Sequence, residues 1–143
     1  MPLYADFRSD TKSEQEGVVL DYGDFRITVA RAGGANKQYL KLLETKARPF
    51  QRAIQAGAFG NDRSVALLQE VYAEAVVRNW ETRVGEEWKP GIEGPDGALL
   101  PVTLANLVLT FTNLPDLFSD LVEQAGKGTL YRASLREEAA KNS

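Results

Sequence analysis

The densest apolar pattern in the chain lies in residues 61–84, NDRSVALLQEVYAEAVVRNWETRV. There Val65, Leu68, Tyr72, Val76 and Trp80 fall on one line at helical spacing. Leu67, Val71 and Ala75 widen the line on one side and Ala73 and Val77 on the other. Glu70, Glu74, Arg78 and Glu81 are left as a narrow polar strip, with Glu74 and Arg78 in the favourable i,i+4 order. Asn61 or Asp62 can cap its start, because a short side-chain oxygen accepts the orphan amide protons of the first turn. So wide an apolar surface has to be packed by several neighbours. At about 1.5 Å per residue the helix would be roughly 34 Å long, the width of a small domain. The pattern therefore predicts a mainly α fold: a small helical domain of five or six helices around a long central helix at about residues 61–84.

Period two appears once. In residues 17–31, GVVLDYGDFRITVAR, Val18, Leu20 and Tyr22 alternate, as do Phe25, Ile27 and Val29, around a Gly-Asp pair. This is the signature of an N-terminal β-hairpin. Residues 1–16 are mostly polar and read as a flexible N-terminal arm, which leaves 17–143 as a single helical domain carrying the hairpin. AGGAN at residues 32–36 lacks the spacing of a phosphate-binding loop and reads as a flexible joint with Asn36 as helix cap.

The rest of the chain is punctuated by proline and glycine. Leu40, Leu43, Ala47, Phe50 and Ile54 share a helical face that Pro49 interrupts, so two helices are expected, ended by Gly57. Residues 85–101 hold four glycines and three prolines, which forbid a continuous helix; an ordered loop with short extended pieces about the Gly94-Pro95-Asp96-Gly97 turn is expected. Residues 102–111 read as a short buried helix with Thr103 as cap. Residues 113–125 restart a helix at Pro115, with Leu114, Leu117, Phe118, Leu121, Val122 and Ala125 as its stripe. A last helix follows Thr129, with Leu130, Tyr131 and Leu135 as a weak stripe.

Composition narrows the function more than the fold. The 143 residues suit one domain with a proper core. There is no cysteine and no histidine, which removes thiolate chemistry, the usual general base near neutral pH and the commonest metal ligand. A net charge of −3 argues against nucleic-acid backbone binding, and no apolar run approaches the ~20 residues of a membrane span, nor does the amino terminus show a signal-peptide pattern. Paired carboxylates are the remaining route to acid–base catalysis. Asp21 and Asp24 flank the hairpin turn, and Asp116 and Asp120 share a helix face, both places where Asp serves local hydrogen bonding. The expectation is a non-enzymatic protein with no cofactor and no metal. Trp80, Trp88, Phe59 and Tyr131 exceed the obvious needs of one small core and suit either a well-packed monomer or an assembly protein with aromatic anchors.

Several stretches resemble tail assembly chaperones of long-tailed noncontractile (siphovirus-type) phages. They are DTKSEQEGVVLDYGDFRITVARAGGANKQYLK, RNWE, the GPDGALLPVTLANLVLTFTNLPDLFSDLVEQA stretch and the closing YRASLREEAAKN. The likeness runs from about Asp10 to Asn142 and rests on the order and spacing of these stretches rather than on a chemically diagnostic motif. It implies a non-catalytic, mainly helical protein of the host cytoplasm that binds the tape measure protein, self-associates into a spiral or ring, and helps recruit the tail tube protein. It also implies absence from the mature virion. A structural tail or head–tail protein that stays in the virion is the alternative. The likeness further implies a −1 ribosomal frameshift near the end of the gene, yielding a longer form; Ala140-Lys141-Asn142 can be encoded by a slippery GCA AAA AAC. For tape measure binding, Leu130, Tyr131 and Leu135 are the expected contacts, and for self-association the hairpin and the arm.

Overall fold

The computed structural model describes residues 3–141. Two short helices, α1 (Leu3–Phe7) and α2 (Thr11–Glu16), lead into the expected hairpin, formed by β1 (Val18–Asp21) and β2 (Phe25–Val29). A long excursion follows: α3 (Lys37–Ala47), a 3₁₀ turn (Arg48–Phe50), α4 (Gln51–Gln55) and α5 (Asn61–Ala75). The chain then returns as β3 (Val77–Val84), β4 (Glu87–Pro90), β5 (Ile92–Glu93) and β6 (Leu99–Leu100). It closes with α6 (Leu104–Asn113), α7 (Pro115–Gly126), a 3₁₀ turn (Gly128–Tyr131) and α8 (Ala133–Lys141).

This is an α/β mixture and not the mainly α domain that the periodicity predicts. Strands β1 to β4 form one antiparallel sheet in sequential order, and β5 pairs with β6 in a second, two-stranded sheet. The predicted central helix at residues 61–84 stops at Ala75, and its last third is strand β3, paired to β2 on one side and β4 on the other. A bulge explains why the sequence misleads. Thr28 pairs with Asn79 but Val29 pairs with Val77, so Arg78 is an extra residue in β3. Val77 and Trp80, three apart, consequently both point into the core. A bulged strand with buried residues at i and i+3 imitates a helix face. From Trp80 to Thr82 the ordinary two-residue spacing returns.

Two contacts settle the switch from α5 to β3. The Val76 carbonyl accepts from the Ala30 amide at 2.8 Å, which continues the β2 ladder instead of the helix. The Ala75 carbonyl, orphaned at the helix end, accepts from Asn36 Nδ2 at 2.8 Å. Asn36 sits at the cap position of α3 but makes no side-chain cap there; its amide group also donates to the Arg31 carbonyl at 2.9 Å. The residue read as a cap for the helix that follows it instead ties off one that comes 39 residues later.

The core lies between one sheet face and helices α5, α6 and α7. Leu20, Ile27, Val29, Val77 and Trp80 face Tyr72, Val76, Leu107, Phe111, Phe118 and Leu121. Tyr72 meets Phe118 edge-on with centroids 5.5 Å apart, and Phe118 leans on Phe111 at 5.0 Å. The α7 stripe forms as the sequence suggests, except that Leu114 at its start is exposed. Thr103 Oγ1 caps α6 by accepting from the Asn106 amide. The opposite sheet face is polar: Arg26 pairs with Glu81 at 2.8 Å and lies over the Trp88 ring.

Within the stretch read as an arm, the Arg8 carbonyl accepts from the Ala133 amide and the Asp10 amide donates to the Tyr131 carbonyl, both at 2.8 Å. Glu14 is 3% exposed and pairs with Arg31 at 2.6 Å. Its carboxylate lies directly against Gly34, whose φ of 53° and bare Cα make room for it. The AGGAN stretch is thus closed around an anion that the chain itself supplies.

Candidate functional site: an open apolar groove

Only the C-terminal part of α5 is buried, at Gln69, Val71, Tyr72, Ala73 and Ala75; its first six residues are exposed. This N-terminal half lies alongside α3 and shares a groove lining with Ile54 of α4. The two long helices run antiparallel, since Tyr39 meets Tyr72 at one end, with centroids 5.8 Å apart, and Phe50 meets Phe59 near the other, at 5.1 Å. No residue of α3 or α4 is buried, although their apolar positions share one face. That face lines a groove of about 590 Å³.

The groove is lined by Leu67 and Leu68 of α5, Leu43 and Ala47 of α3, Ile54 of α4 and Phe59 of the connection into α5. Pro49 falls in the 3₁₀ turn that separates α3 from α4, and Gly57 and Gly60, both at positive φ, turn the chain into α5. Arg63 lies over Phe50 and Phe59, 5.1 and 4.6 Å from the ring centroids, and holds the aromatic end in place. Of the lining residues, Ile54 is 42% exposed; Leu40 of α3 and Val65 of α5, outside the lining, are 48% and 38% exposed. The lining contains no titratable side chain; its polar members are Asn61 and Ser64, and Ser64 Oγ is taken up by the Gly60 carbonyl at 2.9 Å. Such a groove presents mainly apolar surface.

Two of the four carboxylates considered for catalysis do structural work, one from each pair. Asp21 Oδ1 accepts from the Gly23 amide at 2.8 Å and shapes the hairpin turn. Asp120 Oδ2 accepts from the Tyr22 hydroxyl at 2.6 Å, tying α7 to the hairpin. Burial first, and then the hydrogen bond and charge of Asp120, push the Tyr22 phenol above its ordinary range. Among the described residues no group of three or more metal-ligating side chains is placed to hold an ion, and no helix is long and apolar enough to cross a membrane.

The expected contact residues do not form one surface. Tyr131 is fully buried and its hydroxyl donates to the Val29 carbonyl at 2.9 Å. Leu130 packs against the core from a half-buried position, and Leu135 is exposed on α8. Tyr131 is therefore a core residue that a partner cannot reach in this fold. Ala140 and Lys141 end α8, and Asn142, the third residue of the frameshift reading, lies outside the described residues. The groove residues Leu43, Ala47 and Ile54 were visible in the sequence as one helical face, yet were expected to pack on a central helix. The sequence signals beside this face are the Pro49 break and the turn glycines Gly57 and Gly60.

Residues 34–142 match a family model described as YdaY prophage protein. No curated protein and no solved structure matches the chain. The groove is built wholly from matched residues, whereas α1, α2 and the β1–β2 hairpin precede the match.

Proposed function

The chain belongs to the YdaY prophage protein family and is phage-derived, and from that premise we propose that it is a tail assembly chaperone. In this reading it is non-catalytic, binds the tape measure protein, self-associates, and helps recruit tail tube subunits in the host cytoplasm without entering the mature virion. The observation that supports it is the open groove between α3, α4 and α5. A long helical tape measure exposes apolar stripes until the tube encloses it, and an amphipathic helix laid into a groove is a standard way to cover such a stripe. Covering the half-exposed Ile54 in the groove is worth roughly 1 kcal/mol, a strength suited to a contact that must later be released.

The test is co-expression with the adjacent tape measure gene. The native chain keeps the tape measure soluble and co-purifies with it, and Ile54→Glu, a change at an exposed groove position, abolishes both while leaving the fold intact. A tape measure that stays insoluble with the native chain, or stays soluble with Ile54→Glu, refutes the reading. Mass spectrometry of purified particles separates the chaperone, absent from them, from a structural tail or head–tail protein, which is present. The frameshifted longer form belongs to the same reading: codons 140–142 of the gene carry a slippery run and the −1 frame stays open beyond it, or the longer form does not exist.

A further inference from the structure

We propose that in the free protein the groove is covered by helix α1 of a second copy, a head-to-tail contact that a tape measure helix displaces. The proposal rests on the groove being the partner site of the reading above, and adds what occupies that site before the partner arrives.

Helix α1 is held in place with its apolar side chains turned outward. Leu3 and Phe7 are four residues apart and Tyr4 and Phe7 three, so the three share one helix face. They are 60%, 81% and 63% exposed, the highest values of any large apolar residues among those described. Five residues are too few to keep a helix in water unaided, and the body fixes this one from a single side. The Arg8 carbonyl accepts from the Ala133 amide at 2.8 Å, Arg8 pairs with Glu137 at 3.0 Å, and the Arg132 guanidinium lies 4.6 Å from the Phe7 ring centroid. Helix α1 is thereby tied to α8, whereas α3, α4 and α5 build the groove. While it stays on α8 its face is uncovered and its own groove is open. A groove that it fills belongs to another molecule.

The two surfaces suit each other in kind and in size. Apolar anchors at i, i+3 and i+4 are what a helix lays into a groove, and the groove lining carries no titratable side chain that such anchors would desolvate. Scaled from the ~150–250 Å² of an aromatic side chain, the exposed parts of Leu3, Tyr4 and Phe7 amount to roughly 400 Å², the size at which an apolar patch marks a binding surface. With a like area from the groove the contact buries roughly 800 Å², short of the ~1,200 Å² where stable specific interfaces begin. It therefore forms at high concentration and exchanges readily. A longer amphipathic helix spans more of the groove than the one turn of α1 and displaces it. Because the two surfaces differ, the contact is heterologous: each copy offers α1 to one neighbour and its groove to another.

The test is sedimentation velocity of the full chain across a concentration series, with two surface variants. Tyr4→Glu spoils α1 and leaves the groove intact, and Ile54→Glu does the reverse. Both positions are exposed, and an unchanged urea midpoint shows each variant to be folded. The native chain is expected to associate as concentration rises, and each variant to weaken this about tenfold or more by setting a carboxylate in an apolar contact. Mixed, the two variants are expected to form a one-to-one complex that grows no further, since one supplies α1 and the other the groove. A native chain that stays monomeric, association that survives Tyr4→Glu, or a mixture that does not pair overturns the proposal. Co-expression with the tape measure separates the proposal from the reading beneath it. Tyr4→Glu is expected to keep the tape measure soluble, because its groove is free; failure there overturns displacement. If Ile54→Glu loses the tape measure while the native chain is monomeric, the groove reading stands and the α1 cover is overturned. If Ile54→Glu keeps the tape measure while the variants pair, the groove reading and the displacement are overturned and the head-to-tail contact stands.

Discussion

Asn36→Ala probes the switch between helix and strand at its most economical point. Asn36 is 2% exposed, and its amide donates to two main-chain carbonyls, of Arg31 at 2.9 Å and of Ala75 at 2.8 Å. The Ala75 carbonyl is an orphan of the α5 terminus, and Ala75 is itself fully buried, so water does not readily replace the lost donor. Each buried acceptor left without a partner costs about 1–3 kcal/mol. Arg31 is half-buried and relaxes more easily, so the expected loss is about 2–4 kcal/mol. At about 3 °C per kcal/mol for a chain of this size, the melting temperature falls by about 6–12 °C. Urea unfolding followed by circular dichroism reads this as a lower midpoint with an unchanged m-value. Helix content stays constant, because Asn36 makes no side-chain cap on α3. Asn36→Asp is the sharper variant, since it faces both carbonyls with a carboxylate and costs more than alanine at neutral pH. A loss below about 0.5 kcal/mol for Asn36→Ala, or a selective loss of α3, refutes the assignment of Asn36 to the end of α5.

Gly34→Ala is expected to cost more than Gly85→Ala. Both glycines have positive φ, at 53° and 65°, but a Cβ at Gly85 meets nothing within 4 Å, whereas one at Gly34 meets the Glu14 carboxylate. The excess, about 1–2 kcal/mol by chemical denaturation, should vanish in the Glu14→Ala background; persistence there shows that packing is not its origin. Val76→Asp places a carboxylate at a fully buried position of the junction and should abolish cooperative unfolding, while a melt near the native temperature contradicts the junction as a core element. Stability should also fall steeply above about pH 10, the ordinary tyrosine value. Burial pushes the Tyr22, Tyr72 and Tyr131 phenols up, with the Asp120 charge adding at Tyr22 and Tyr39 at Tyr72. The folded state then keeps protons that the unfolded chain releases, so the stabilisation is complete below the unfolded value and is lost as pH rises past it. A flat urea midpoint between pH 9 and pH 11 contradicts this.

Local signals were reliable where local physics decides. The hairpin at Val18–Asp21 and Phe25–Val29, the Thr103 cap, Pro115 in the first turn of α7 and the Phe118, Leu121, Ala125 stripe are each set by neighbours within a few residues, and each forms as read. The candidate site was half legible. Leu43, Ala47 and Ile54 declare a shared face, but whether a face meets the core or is left open depends on where the sheet ends, and periodicity carries nothing about that. Tyr131 runs the other way. A weak stripe near the chain end suggested availability, whereas the Val29 carbonyl, 102 residues away in sequence, holds its hydroxyl inside.

The sequence by itself determined the hairpin, the helix breaks at Pro49 and Gly57, helices α6 and α7, and the want of histidine and cysteine. Tertiary structure alone decided the fold class and the site. Residues 76–84 have apolar spacing compatible with a helix, and only pairing with β2 across the long excursion, with Arg78 bulged out, makes them a strand. The same pairing ends α5 at Ala75 and limits how far the core reaches along it. The apolar face of its first half is thereby left outside, where α3 and α4 shape it into a groove. Pairing energy between distant segments is a property of the assembled sheet, so no window of sequence contains it.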